Sequence, residues 1–262
     1  MSKEDIDASE APLIEHLIEL RKRLVYCVVG FIAAFVVSFY FSSDILRWLV
    51  QPFRWGTGED VSLISIKLLG VFLVKLKIAF FGGLFIAFPL IAIQVYSFVA
   101  PGLYSNERNA FRPYLLATPI FFLLGAALVY FLLLPVAIRF FYSLAAATGG
   151  DGQTAIQLMP DIEAYLEFVM MLILAFGLCF QLPVILTLLG QVGIVTYDQL
   201  KSGRKFAVVG VFVIAAVLTP PDPISQIAMA VPLLGLYEIS VQAVRLLENR
   251  RKKAEAARDA AA

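Results

Sequence analysis

The sequence predicts an all-α, polytopic membrane protein with six transmembrane helices, the last two of them short. Three observations lead there. Of its 262 residues 60% are hydrophobic and the mean hydropathy is +0.85, well above a soluble domain. Four uncharged stretches, Leu24 to Ser43, Ile78 to Val99, Pro113 to Ile138 and Phe168 to Tyr197, reach the roughly 20 residues needed to cross a hydrocarbon core. Phe206 to Leu218 and Ile224 to Tyr237 follow as shorter ones. Finally, 15 of the 21 Lys and Arg residues lie on one side: Lys3 and Arg21 to Arg23, Arg108 and Arg112, Lys201, Arg204 and Lys205, and six from Arg245 to Arg258. The positive-inside rule then places both termini in the cytoplasm.

Residues 1–23 read as a cytoplasmic tail, 24–245 as the transmembrane domain and 246–262 as a charged cytoplasmic tail. Within the first, Leu13, Leu17, Leu20 and Leu24 recur at three- and four-residue steps opposite Glu15, Glu19, Lys22 and Arg23. That pattern predicts an amphipathic helix lying along the interface and turning into span one. No cleavable signal peptide is evident, because the first apolar run follows a charged tail and is too long for an h-region. After span one, Gln51, Pro52, Phe53 and the glycines Gly56 and Gly58 predict an outer loop. Val71 to Val99 is long for one span, so it should tilt or project, with Lys75 and Lys77 snorkelling outward. The next inner loop, Ala100 to Arg112, carries Pro101, Gly102, Tyr104 and Glu107. Beyond span three, a turn at Gly149 to Gly152 and the acids Asp151, Asp161, Glu163 and Glu167 make a mildly acidic outer face. Phe206 to Leu218 would form only ~20 Å of helix, so the turn Thr219 to Pro223 should sit below the outer surface, in thinned bilayer or shielded by neighbours.

The pattern excludes several classes of chemistry. No phosphate-binding loop occurs, since Gly149 to Gly152 lack a following Lys-Ser/Thr. The cations follow membrane edges instead of forming a patch with interleaved aromatics, which argues against nucleic acid. His16 is the single histidine, and neither a metal site nor a Ser-His-Asp constellation can be assembled, so no catalytic residue, cofactor or metal is implied. Cys27 and Cys179 lie within apolar spans, where packing is the better reading than a disulfide. Ala79, Gly83 and Ala87 make a small-residue ridge for helix packing on span two. Glu238 reads as a partner for a basic residue near the inner end of span six, and Asp222 as a cap or turn residue before Pro223.

Two carboxylates stand apart. Glu19 and Glu107 make an acidic spot on an otherwise basic inner face. From spacing alone, Glu19 also fits an i,i+4 pair with Arg23, and Glu107 a solvated charge beside Arg108. Gln181 lies near the centre of the run Phe168 to Tyr197, at a depth where polar groups face protein. It suits a contact with a partner's transmembrane segment or an internal hydrogen bond.

His16 to Arg23 before span one, Phe98 to Tyr104 with Glu107 and Arg108 after span two, and Leu218 to Asp222 between the last spans resemble the TatC family, the signal-peptide receptor of the twin-arginine protein translocase. The likeness covers nearly the whole chain, with three motifs in order. It implies that Glu19 and Glu107 engage the arginine pair of a signal peptide, with Arg21, Phe98 and Tyr104 in the same binding region. Pro52, Gln181 and Asp222 would serve partner or bundle contacts. Many relatives carry Glu at the position of Gln181, and the amide here cannot titrate, which weakens any proton relay centred on it. A guanidinium offers two parallel donors that a carboxylate accepts together, a fork that lysine cannot reproduce.

The resemblance further implies folded cargo bearing twin-arginine signal peptides, single-span TatA and TatB subunits, self-association in a receptor complex, and export driven by the proton gradient across the bacterial inner membrane. Helices ~10 to 12 Å across leave little room for a channel within six of them, so folded cargo requires partners. The alternative is a secondary transporter of a small solute, with Gln181, Asp222 and the short hairpin as a midplane polar site. Few intramembrane charges and no clear repeat between halves argue against it.

Overall fold

In the computed structural model the described residues are 3–57, 63–99, 112–147, 160–218 and 223–259. They form helices α1 (Lys3–Tyr40), α2 (Ser42–Thr57), α3 (Gly70–Val99), α4 (Arg112–Leu128), a π-helical segment (Val129–Leu133), α5 (Leu134–Ala147), α6 (Ile162–Cys179), α7 (Leu182–Val192), α8 (Tyr197–Leu218) and α9 (Pro223–Asp259). Among them the sole β pairing is an isolated parallel bridge between Ile64 and Asp161. The fold is all-α. Among the described residues five stretches are long and apolar enough to cross a membrane: His16–Tyr40, Gly70–Phe98, Pro113–Ala145, Ile162–Val192 and Gln226–Lys253. Large apolar side chains such as Leu116, Phe131, Val136 and Val231 remain exposed along these helices, as lipid-facing residues do. The chain divides into two compact units, Met1–Leu46 with Lys75–Pro119 and Arg47–Val74 with Ile120–Ala262.

In the first unit, α1 is continuous from Lys3 to Tyr40. The expected turn between an interfacial helix and span one is absent, because neither Pro nor Gly interrupts residues 13–29 and the apolar periodicity passes straight through. The small-residue ridge of α3 faces α1. A Cβ on Gly83 would stand 2.9 Å from the Phe35 Cα, and Ala79 and Ala87 are buried. The helices therefore approach backbone to backbone, as small residues permit in lipid. Tyr96 and Thr118 share a hydrogen bond at 3.1 Å.

In the second unit the expected outer loop around Pro52 is helix instead. Leu49 and Phe53 are buried one turn apart in α2, and this apolar stripe outweighs the turn signals. Pro52 has no N–H to donate to the Trp48 carbonyl one turn back. The Tyr130 hydroxyl donates to that carbonyl at 2.7 Å, and the Tyr165 hydroxyl donates to the Leu49 carbonyl at 2.9 Å. Tyr130 belongs to the π-helical segment, where the Leu134 N–H bonds back to Val129. This widened turn precedes Pro135, another residue without an N–H, and breaks the α-helical ladder between α4 and α5.

Pro183 likewise breaks the fourth span. α6 stops at Cys179 and α7 resumes at Leu182 with Gln181 at its N-cap. At the start of α6, Asp161 adopts extended backbone and its carboxylate accepts from the Ala164 N–H at 3.3 Å, an N-cap. α7 ends at Gly193, whose φ of 81° is a left-handed conformation that glycine adopts freely. Thr196 and Gln199 then exchange a reciprocal capping box that opens α8. Glu248 accepts from the Tyr197 N–H at 2.7 Å, and Arg251 donates to the Gln191 carbonyl. The start of α8 and the end of α7 are thus both tied to α9, over a core of Leu200, Val241 and Val244.

The apolar part of α8 is limited to Phe206 onward by Arg204 and Lys205. α9 continues past the uncharged run to Asp259, and Glu238 accepts from Arg204 at 2.7 Å, the basic partner expected for it. The expected turn at 219–222 lies outside the described residues.

Candidate functional site

The candidate site residues of the first unit converge at the end of α1 and α3 that carries His16 and Phe98. The His16 ring stacks on Phe98, centroids 4.2 Å apart at 19°. Two turns further along α1, Arg23 Nη1 donates to Gln94 Oε1 at 3.3 Å. Gln94 lies one turn from Phe98 on α3, so these contacts pair the two helices antiparallel. Glu19 stands between His16 and Arg23 on the same face of α1. Its Oε1 accepts from Arg23 Nε at 2.9 Å and from Arg23 Nη2 at 2.5 Å. Glu19 and Arg23 are partly buried, with side chains 34% and 23% exposed.

An acidic group, a stacked aromatic pair and an amide are thereby held on one face by two helices that a close-packed ridge fixes together. Chemically the group accepts a guanidinium, as its bonds with Arg23 demonstrate. The i,i+4 pair expected from spacing is present, and Gln94 adds a third partner that sequence reasoning missed. Its signal was available: Gln94 is the single amide in the run Ile78 to Val99. Arg21 is exposed on α1. Tyr104, Glu107 and Asp222 lie outside the described residues.

The second unit holds the other two. Pro52 is buried within α2. Gln181 is 6% exposed at the break between α6 and α7, where its Nε2 donates to the Gly177 carbonyl at 3.5 Å. Its amide is thus turned toward its own helix. Among the described residues no three His, Cys, Asp or Glu side chains gather as metal ligands.

Comparison with known proteins assigns the family. The profile of the Sec-independent protein translocase protein TatC matches residues 15–232. The Sec-independent protein translocase protein TatC of Magnetococcus marinus is 40% identical over 251 residues, covering 96% of this chain and 90% of its own. That of Escherichia coli K12 is 38% identical over 241 residues, covering 92% and 89%. The crystal structure of the twin arginine translocase receptor TatC is 37% identical and superimposes with a TM-score of 0.77, covering 89% of this chain and 99% of that one. These matches displace the solute-transporter alternative, and a translocase component points to a non-catalytic, multi-pass membrane protein. The chain belongs to the TatC family of Sec-independent protein translocase proteins.

Proposed function

We propose that this chain is the receptor that binds twin-arginine signal peptides of folded cargo at the cytoplasmic face of a bacterial inner membrane. Both termini lie in the cytoplasm, so the end of α1 and α3 that carries Glu19 faces incoming precursor. The observation that carries the reading is the half-buried Glu19 carboxylate on the face of α1 that also carries the His16–Phe98 stack, whose Oε1 accepts two donors of one guanidinium, that of Arg23. Glu107 takes the second arginine, and Phe98, Tyr104 and Arg21 belong to the same binding region. Charge-assisted hydrogen bonds contribute ~1.5 to 3 kcal/mol each, whereas micromolar affinity needs about 8 kcal/mol. The apolar segment of the signal peptide supplies much of the remainder.

Single-span TatA and TatB subunits and further copies of this chain complete the assembly, with Pro52, Gln181 and Asp222 in partner or bundle contacts and the proton gradient driving export. Binding of a fluorescent Arg-Arg signal peptide to the chain in nanodiscs tests the reading. Affinity should fall on exchange to Lys-Lys and in Glu19→Gln; equal affinity for both peptides would overturn it.

A further inference from the structure

Three cations gather in the second unit, where α8 begins beside α9, with no acid to hold them. Lys201 and Arg245 both stand over the Tyr197 ring, 5.9 and 5.4 Å from its centroid, and Lys205 lies one turn along α8 from Lys201. All three are exposed, and among the described residues none of them makes an ion pair. The acids nearby are engaged elsewhere or stand apart. Glu238 accepts from Arg204 and Gln242 at 2.7 and 2.8 Å, and Glu248 accepts from the Tyr197 N–H. Asp198, in the first turn of α8, pairs with none of the three. Like charges drawn to one ring repel each other, and an aromatic face offsets only part of that. We propose that Lys201, Lys205 and Arg245 bind the phosphodiester of an anionic phospholipid at headgroup level beside Tyr197.

Depth and periodicity identify the ligand. The apolar part of α8 starts at Phe206, and from there back to Lys201 is ~7 Å of helix, about the thickness of one headgroup layer. Lys201, Lys205, Val208 and Phe212 recur at four-, three- and four-residue steps, so an apolar stripe runs directly below the cations. Val208 and Phe212 are 41% and 37% exposed along it. A ligand with an anionic head and an apolar chain matches the whole strip, whereas a soluble anion uses its upper end alone. The backbone offers no competing anion site, because Glu248 and the Thr196 to Gln199 capping box close the first turn of α8. Basic pockets between spans at this depth hold anionic headgroups. A zwitterionic lipid carries its own cation next to the phosphate, and the same side chains repel it. With both termini in the cytoplasm, as proposed above, the lipid belongs to the inner leaflet. Nothing in the inference depends on the reading of Glu19.

The test uses the full chain in dodecyl maltoside micelles, titrated with phosphatidylglycerol or with phosphatidylcholine of the same acyl chains, and counts bound lipid by native mass spectrometry. The first phosphatidylglycerol should bind at least several-fold tighter than phosphatidylcholine. Lys201→Gln and Arg245→Gln should each weaken it by about fivefold, the share of one cation near a charged lipid surface. Arg245→Lys keeps the charge and should keep most of the affinity. Lys22→Gln removes the same charge from an exposed position on α1 and should leave that first binding step unchanged. Arg245→Gln decides the matter alone if Lys201→Gln fails to fold. Glycerol 1-phosphate, which carries the phosphate without the chains, should not displace the lipid at millimolar concentration. Equal retention of the two lipids would overturn the proposal, as would a loss in Lys22→Gln equal to that in Arg245→Gln. Displacement by glycerol 1-phosphate would show a site for a soluble phosphate and overturn the lipid as its occupant.

Discussion

Changing Tyr130 to Phe should destabilise the chain through one oxygen atom. The Tyr130 hydroxyl donates to the Trp48 carbonyl at 2.7 Å, and that carbonyl cannot be served from within α2 because residue 52 is proline. Tyr130 is 5% exposed, so water does not readily take over. The ring should keep its stack on Trp48, centroids 4.8 Å apart, since Phe retains the aromatic shape. What remains is the loss of a buried hydrogen bond with its acceptor stranded, about 1 to 3 kcal/mol. Pro52→Ala supplies the missing test, because alanine restores an N–H aimed at the Trp48 carbonyl. Equilibrium unfolding in mixed SDS and dodecyl maltoside micelles, followed by circular dichroism, should show Tyr130→Phe costing distinctly less in the Pro52→Ala background. An equal cost in both backgrounds would refute the link between the proline and the hydroxyl.

Three further outcomes follow from the geometry. Gly83→Ala should lower stability by roughly 1 to 3 kcal/mol in the same assay, because its Cβ would press on Phe35 backbone at 2.9 Å; Gly210→Ala, with nothing within 4 Å, should cost nothing or slightly stabilise the helix. Lys67→Met should cost about 1 kcal/mol by removing the ammonium 2.9 Å from the buried Glu163 carboxylate, and Lys67→Met with Glu163→Gln should recover part of it. In a variant with Cys27 and Cys179 replaced, cysteines at Ser105 and Ser202 should label from the cytoplasmic side and one at Gln153 from outside; outside labelling of Ser105 would break the six-span topology.

Spans were legible wherever a single property decided them. Uncharged runs gave α3, the α4 to α5 helix and the α6 to α7 pair, because lipid demands apolar length before anything else. α2 was not legible: Pro52 and Gly56 speak for a loop, while its helical stripe is only three turns long and depends on Tyr130 and Tyr165, far away in sequence, to satisfy the carbonyls that the proline disturbs. Glu238 was legible as the partner of a basic residue, and Arg204 of α8 is that residue. At the site, Glu19 and its pairing with Arg23 followed from helical spacing, and the candidate role followed from motif resemblance. The anchoring by Gln94 did not: a lone amide in an apolar run signals a polar contact, but not that its partner is Arg23, 71 positions away.

The central claim is that carboxylates at the inner end of the chain read the arginine pair. Its most direct measurement is a double-mutant cycle between Glu19 or Glu107 and each signal arginine, using Glu→Gln in the chain and Arg→Lys in the peptide. Coupling of about 1 kcal/mol or more for one arginine with each carboxylate is expected, within the range found for interacting charged groups. Coupling near zero for all four pairs, in correctly inserted protein, would contradict the claim and place recognition elsewhere.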